Sequence, residues 1–532
     1  LHFSQVVETN GRNALPEVGV RVPSTAVAVA SAATAVTANR TRRRPPTRVP
    51  PPAGNGRTRL PLVEKPHPGR KHRQRARRAV LAGGVVAAAA LYLAPSPPGL
   101  AEPGKAAFAI FLGCTTLWIT NSIPVGITGL LAVALLAATG VMPAAEVFAA
   151  FGSSAVFFIL GVFILAAGLI RSGLSKRIAL QFLVHFGGSP RRLGTGMMLI
   201  AMLLTVVMPA QAAVAMLFPI AFELAHAMRL HPGASRYGTV LFLSLAWGAM
   251  VGSNASFLGS TRAPLALGML WTTHATTITF GEWLLAAFPV VALGILTLPL
   301  ILTIAFRAEP VDASAARASL ETAVAALGPM GRQQVKVGAV ALVTVLAWIT
   351  IGGRRVDFAV IALLGAAAMF ALGALSWEDL EGHVHWNVIL MYGGAIALGV
   401  AIDRAGVARW VATGAFGDTR IPALAAVVGL AVATIVLSEF MSNVAAVAVM
   451  LPLGFSLGEP LGIPPATLVL STSIGAGLAF TLPISSAPNT IAFASRYVGV
   501  TDFVRAGTMM TALSIAILIA VAAFWWPLIG LL

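Results

Sequence analysis

From residue 79 to the end, apolar runs of bilayer-spanning length follow one another with short polar joints between them. A ~30 Å hydrocarbon layer takes about 20 apolar residues in helical form, so this pattern predicts an all-α integral membrane protein. Spans are predicted near 79–94, 105–120, 123–141 and 152–170, with a short amphipathic piece at 173–186. An unusual block at 194–230 is interrupted by Pro209 and Gln211 and then resumes. A span from 238 to 275 is broken around Gly252 to Pro264, and another occupies 283–305. Further spans fall near 334–350, 357–375 and 387–402. An interrupted block recurs at 421–457, broken at Ser442 and Asn443, before a broken span at 464–495 and a last one at 503–527. The total is about 11 transmembrane helices.

The pattern repeats. At a single offset of 233 residues, 158–179 lies over 391–412, pairing Gly161 with Gly394, Arg171 with Arg404 and Gly173 with Gly406. The same offset puts 208–220 over 441–453, where Met208, Ala212, Ala213, Val214, Ala215 and Pro219 meet identical residues. One gapless offset satisfying two regions marks an internal duplication. Counting spans, the copy at 105–305 enters the membrane from the opposite side to the copy at 334–530, so inverted repeats are expected. Arms of roughly 10–15 residues cross about half the bilayer, so the blocks 194–230 and 421–457 read as re-entrant hairpins. Amides and carbonyls freed at their tips cannot face lipid and must line a polar site. Converging helix N-termini there favour an anion, and unwound carbonyls a small cation. Ordinary kinked spans are the plainer alternative.

Composition agrees with a membrane protein: 57% hydrophobic residues against 10% charged. The net charge of +17 sits mostly in one place, because residues 1–80 carry 16 of 36 Lys/Arg and only Glu8, Glu17 and Glu64 among the acids. That Pro/Arg-rich segment, including TRRRPPTRVPPPAGNGR at 41–57, reads as a disordered basic tail over 1–77 and a cytoplasmic anchor rather than a nucleic-acid binder. Part of it is also readable as tag or upstream sequence. The tail leads into the first span and loop at 79–104, and a cytoplasmic linker is expected at 306–333. Basic residues Arg171, Lys176, Arg177, Arg191 and Arg192 place 171–193 inside with the N-terminus, although Arg354, Arg355, Arg404, Arg409 and Arg420 weaken the rule in the second half. With Cys114 alone, no intrachain disulfide or thiolate metal site exists. His185, His226 and His231 have no ligand spacing, Asp403 and Arg404 read as a span-end cap, and Trp525 and Trp526 read as interfacial belt residues.

LSEFMSNVAAVAVMLPL (437–453) and AFTLPISSAPNTIAF (479–493) resemble the paired signatures of the divalent anion:sodium symporter family, and the resemblance covers about 105–530. It implies a homodimeric secondary transporter for di- or tricarboxylates or sulfate, with sodium as coupling ion and elevator-type alternating access, in the bacterial inner membrane. It implies a sodium cage from Ser442, Asn443, Thr481, Ser485, Ser486 and Asn489, with Ser442, Asn443, Ser486 and Asn489 also lining the anion site. Hydroxyl and amide oxygens are the hard ligands a small cation takes. Val444 replaces the family's threonine at that tip. The first half departs further: its tip reads Pro209-Ala210-Gln211, and Ser260, Thr261, Arg262 and Ala263 stand where the family has Thr-Pro-Pro-Asn. Gln211, Ser260, Thr261 and Arg262 complete the expected anion site.

Two charges lie within otherwise apolar segments, Arg262 in the first break and Glu439 one turn before the second tip. Arg262 either replaces a sodium ion or grips a carboxylate, and Glu439 is a candidate proton-coupling group. A plain Arg262–Glu439 salt bridge, or Glu439 as a cap, is the simpler reading. A proton-coupled carrier and a passive or pump-associated inorganic anion permease, arsenite-like, remain alternative functions. A membrane-embedded enzyme is remote, since no nucleophile has a partnered histidine and no catalytic residue or organic cofactor is expected.

Overall fold

The computed structural model describes residues 69–307, 309–416 and 422–532. Most of the expected basic tail, Arg420 and the first residue of the 421–457 block therefore lie outside the described residues. Apart from one isolated bridge between Gly352 and Val356, the regular structure among the described residues is helical. Among the described residues, eight helices are long and apolar enough to cross a membrane, including Ala144–Arg171, Phe280–Ala305, Trp386–Arg404 and Val500–Leu528. The fold is a multi-spanning all-α membrane bundle.

The first helix, Gly69–Leu93, starts ten residues before the predicted span, because Arg and Lys propagate a helix well. The linker also carries a helix, Ser314–Ala325, whose Ala316 and Leu320 are buried where it packs on Leu174–Val184 and Ala210–Ala227. Trp526 is fully buried and donates to Ala286 O at 3.2 Å, so it belongs to the core and not to an interfacial belt. Its neighbour Trp525 donates to Leu285 O.

Both interrupted blocks are helix–turn–helix pairs. The first hairpin is Pro190–Leu204 and Ala210–Ala227; the second is Ala423–Phe440 and Asn443–Leu461. Ser189 caps one arm by accepting from Arg192 N, with Pro190 at the N-terminus where its missing N–H costs nothing. Ser442 caps another by accepting from Ala445 N at 3.3 Å. The arms run to 15, 18, 18 and 19 residues, so the first keeps within the 10–15 expected and the other three exceed it. They continue through Pro219, Pro452 and Pro460, which end no helix here.

The first broken helix has a leading arm, Arg236–Gly252, and a trailing arm, Arg262–His274. The second has a leading arm, Pro465–Ala476, and a trailing arm, Ala487–Ala494. Their packing exchanges partners between halves. The first hairpin packs on its own half's leading arm and on the trailing arm of the second broken helix. The second hairpin packs on its own leading arm and on the trailing arm of the first.

The 233-residue offset governs close backbone contacts too. A Cβ on Gly394 would strike the backbone of Gly129, and a Cβ on Gly161 would strike Ala362 at 2.6–3.0 Å. Gly161 and Gly394 are offset partners, and so are Gly129 and Ala362. Helix Val125–Ala138 thus lies against Trp386–Arg404 as Phe358–Ala371 lies against Ser154–Arg171. Small residues at these four positions permit the approach.

Candidate functional site

Each break in a broken helix leaves about ten residues of irregular backbone buried in protein, and polar side chains bond it from within. At the second break, Ser486 caps the trailing arm by accepting from Asn489 N at 3.3 Å. The Asn489 amide donates to Leu482 O at 3.2 Å and to Ser485 Oγ at 3.0 Å, while its Oδ1 accepts from Trp247 Nε1 at 3.1 Å. Ser485 Oγ lies 3.0 Å from Ala479 O and 2.8 Å from Leu482 O. Ser486 Oγ sits 3.3 Å from the Met250 sulfur on the first leading arm. Ser485, Ser486 and Asn489 are all buried, so neutral oxygens dominate this break.

Glu439 enters the same network from the second hairpin. Its two carboxylate oxygens accept from Thr481 N and Leu482 N, each at 2.9 Å, and Oε1 also accepts from the Thr511 hydroxyl at 3.2 Å. The Leu482 main chain therefore links Glu439, which accepts from its N–H, to Asn489, which donates to its carbonyl. Two successive amides aimed at one carboxylate satisfy a charge that would otherwise be costly at this depth.

The first break is different. Arg262 is only 5% exposed. Its Nε donates to Ser473 O at 2.7 Å, one terminal nitrogen donates to Asn254 Oδ1 at 2.6 Å, and both terminal nitrogens lie 3.4 Å from Ser253 Oγ. None of the ion pairs among the described residues includes Arg262. The expected alternative of an Arg262–Glu439 salt bridge is thus not formed: the carboxylate is taken by backbone amides and the guanidinium by neutral oxygens. Ser260 Oγ accepts from Ala263 N at 3.2 Å, and Thr261 O accepts from the Tyr392 hydroxyl. The first hairpin tip seats on this loop, with Ala210 N donating to Gly259 O at 2.9 Å and Ser256 Oγ to Val206 O at 2.9 Å.

The expected residues separate into two groups. Thr481, Ser485, Ser486, Asn489 and Glu439 are tied together at the second break. Ser442 and Asn443 lie to one side, and Ser438 links them to the second leading arm, its Oγ 2.9 Å from both Asn443 Oδ1 and Ala476 O. Gln211 lines an open cavity of about 840 Å³ with His383, His385, Asn387 and Ala487. Arg262 is not among that cavity's lining residues. Sequence reading missed Ser253, Asn254, Ser438, Ser473, Trp247 and Thr511, which supply most of the partners. Ser253 and Asn254 stood inside the predicted break around Gly252 to Pro264 and were the ones most open to detection.

Residues 76–532 match the family described as sodium:sulfate symporter transmembrane region. The chain belongs to that family. Among its relatives, the sodium-dependent dicarboxylate transporter SdcS of Staphylococcus saprophyticus is 26% identical over 456 residues, covering 81% of this chain and 88% of the relative. The protein of the same name from Staphylococcus aureus strain RF122 is 25% identical over 459 residues, with the same coverage. Among solved structures, MtrF of Neisseria gonorrhoeae, described as illuminating a class of antimetabolite efflux pumps, aligns with a TM-score of 0.50 at 13% identity. That alignment covers 87% of this chain and 96% of MtrF, and it shows a shared fold alone. Membership in a symporter family puts this chain among transporters and makes sodium the expected coupling ion.

Proposed function

We propose that this symporter-family chain moves a small divalent anion, a di- or tricarboxylate in preference to sulfate, together with sodium by elevator-type alternating access. The observation that carries the reading is the second break, where Ser485, Ser486 and Asn489 hold neutral oxygens and amides at interrupted helix ends. Oxygen ligands of this kind suit sodium, and helix N-termini suit a carboxylate. Ser442 and Asn443 at the second tip and Thr481 complete the sodium-side set; Gln211, Ser260 and Thr261 are the first-half contributors to the anion side. The relatives' dicarboxylate names favour carboxylate over sulfate.

On this reading the exchanged packing of the halves reflects inverted repeats over 105–305 and 334–530, with 11 spans and re-entrant hairpins. An N-terminus inside and a homodimer complete the proposal. The cavity holding Gln211 is the access path on one side. Counterflow in proteoliposomes with labelled succinate, citrate and sulfate, varying sodium and pH separately, tests it. Sodium-dependent exchange of a dicarboxylate is the expected result, and exchange of none of the three anions overturns it.

A further inference from the structure

A second cavity, of about 500 Å³, is bounded by the first hairpin arm Pro190–Leu204, the leading arm Arg236–Gly252 and helix Phe280–Ala305. It shares no lining residue with the cavity that holds Gln211. The hairpin arm and Phe280–Ala305 both pack on the leading arm, and the cavity lies between them. Hydrogen bonds gather three chain ends at its mouth. The Tyr237 hydroxyl donates to Pro190 O at 2.7 Å, and Glu309 Oε2 accepts from the Ser235 hydroxyl at 2.8 Å and from Tyr237 N at 2.9 Å.

The lining is graded from charged to apolar. Arg191 is the second residue of its helix, and Arg307 follows the end of Phe280–Ala305 by two residues. Both line the cavity with Glu309, and none of the ion pairs among the described residues includes any of the three. Two cations against one carboxylate leave the mouth positive, and that carboxylate is already engaged by two donors. Beyond them Met198, Val240, Leu302 and Phe306 are apolar.

Ser244 interrupts that apolar wall. It is 4% exposed, lines the cavity, and has no hydrogen-bond partner among the described residues. A helical hydroxyl ordinarily returns its proton to the carbonyl one turn back, as Thr297 and Thr303 do on the neighbouring helix. A Cβ on Gly194 would come within 3.8 Å of Ser244 Oγ, so Ser244 lies level with Gly194. That is three residues, about 4.5 Å, deeper than Arg191. A buried donor left open at this depth points to an acceptor on a ligand. The wall from Phe280–Ala305 also borders hydrocarbon: Leu296, Leu300 and Ile304 on that helix are 69%, 55% and 56% exposed.

We infer that this cavity binds an anionic phospholipid, its phosphate held by Arg191 and Arg307 and a glycerol ester carbonyl accepting from Ser244. Acyl carbons then lie against Met198, Val240 and Leu302. Guanidinium groups grip phosphate oxygens in pairs, and basic pockets between membrane helices suit such headgroups. A free phosphate would meet the arginines but leave Ser244 and the apolar wall unmatched. In place, the lipid fills the space between the first hairpin and Phe280–Ala305.

The test uses the purified full chain in neutral detergent, with phosphatidylglycerol, phosphatidylcholine or inorganic phosphate added. Melting temperature and the lipid retained in native mass spectra are read. Phosphatidylglycerol should stay bound and raise the melting temperature by about 2–5 °C, and neither other addition should. Arg191→Gln with Arg307→Gln should abolish both effects, and Arg191→Lys with Arg307→Lys should restore part of them. Ser244→Leu, whose side chain enters the cavity, should displace the lipid. Lys176→Gln with Arg332→Gln removes two exposed cations outside the cavity and should leave both effects in place. Equal gains from phosphatidylglycerol and phosphatidylcholine, or the full gain from phosphate alone, overturn the inference. So does retention that ignores the arginine pair, or that falls equally with the Lys176 and Arg332 pair. Neither readout involves transport, so the result is independent of which anion or coupling ion the chain carries.

Discussion

Arg171 donates through Nε to Asp379 Oδ1 at 2.7 Å, joining the end of helix Ser154–Arg171 to the short helix Glu378–Glu381 of the other half. Its counterpart is Arg404, at the end of Trp386–Arg404, which pairs with Glu146 of the first half. Both members of one pair lie 233 residues from their equivalents in the other: Arg171 from Arg404, and Glu146 from Asp379. The duplication has thus preserved an interaction between halves as well as a sequence.

These pairs are partly exposed, so their worth as stabilising contacts is small. Their position at the ends of two related helices gives them a stronger claim on conformational balance. Reversing one charge, in Arg171→Asp or Asp379→Arg, is expected to slow initial uptake with little loss of thermal stability. The double exchange should recover most of the lost rate. Uptake rates of the four proteins of the cycle decide it, and independence of the two single effects would refute a coupled role.

Asp379 also gives a pH dependence. The Ser376 backbone N–H and hydroxyl, and then Arg171, hold its carboxyl below the ordinary 3.8. A depressed carboxyl stabilises the fold above its unfolded pKa, and the stabilisation disappears as pH falls from there through the folded value. Acid unfolding below about pH 4 should therefore be blunted in Asp379→Asn, which has already lost the contribution at neutral pH. Thermal melts between neutral pH and pH 3 would show the two proteins converging.

Glu439 fixes the second hairpin to the second break through two amides and the Thr511 hydroxyl. Glu439→Ala leaves buried amides unpaired at about 1–3 kcal/mol each, so a large fall in melting temperature is expected. Glu439→Gln keeps one acceptor oxygen and should lose less. Since both carboxylate oxygens already serve as fixed acceptors, the pH profile of uptake should survive Glu439→Gln. Loss of that profile with preserved stability would instead make Glu439 a proton-coupling group.

How far the sequence disclosed this depends on the kind of signal. Apolar runs announce helices directly, and the breaks around Gly252 to Pro264 and within the 464–495 span announced themselves because Gly, Pro, Ser and Asn interrupt such runs. The 233-residue offset was readable, but the pairs it relates were not, since the partners lie far apart in sequence. Three of the four hairpin arms run longer than expected, and two of these continue through Pro219 and Pro452, where the remaining backbone bonds carry the helix on. The Arg262 environment was illegible for a simpler reason. Its acceptors include Ser473 O, a backbone group 211 residues away that no residue identity can signal.

Sodium affinity should depend on Asn489, whose side chain bridges Leu482, Ser485 and Trp247. Asn489→Ala removes a hard oxygen and the order it imposes on the break. The sodium half-saturation of uptake should rise at least ~10-fold, a change of about 1.4 kcal/mol. An unchanged half-saturation would move the cation site elsewhere.

Cys114 is the sole cysteine and is buried, so a cysteine introduced at Gln211 can be labelled selectively. Because Gln211 lines the open cavity, Gln211→Cys should react with a polar maleimide from one side of oriented vesicles. Sodium with succinate should alter the rate. Equal reaction from both sides in the absence of substrate would argue against one-sided access.

Gly477 offers the most specific check on the Arg262 environment. An added methyl group there meets the guanidinium and the Asn254 amide oxygen in a site with no slack, and overpacking of this kind costs about 1–3 kcal/mol. Gly477→Ala alone should lower both melting temperature and uptake. In an Arg262→Ala background the obstructing guanidinium is gone, so adding Gly477→Ala should cost markedly less stability than it does in the unaltered protein. Melting temperatures of the four proteins give the coupling directly, and additive effects would mean that Gly477 answers to some neighbour other than Arg262.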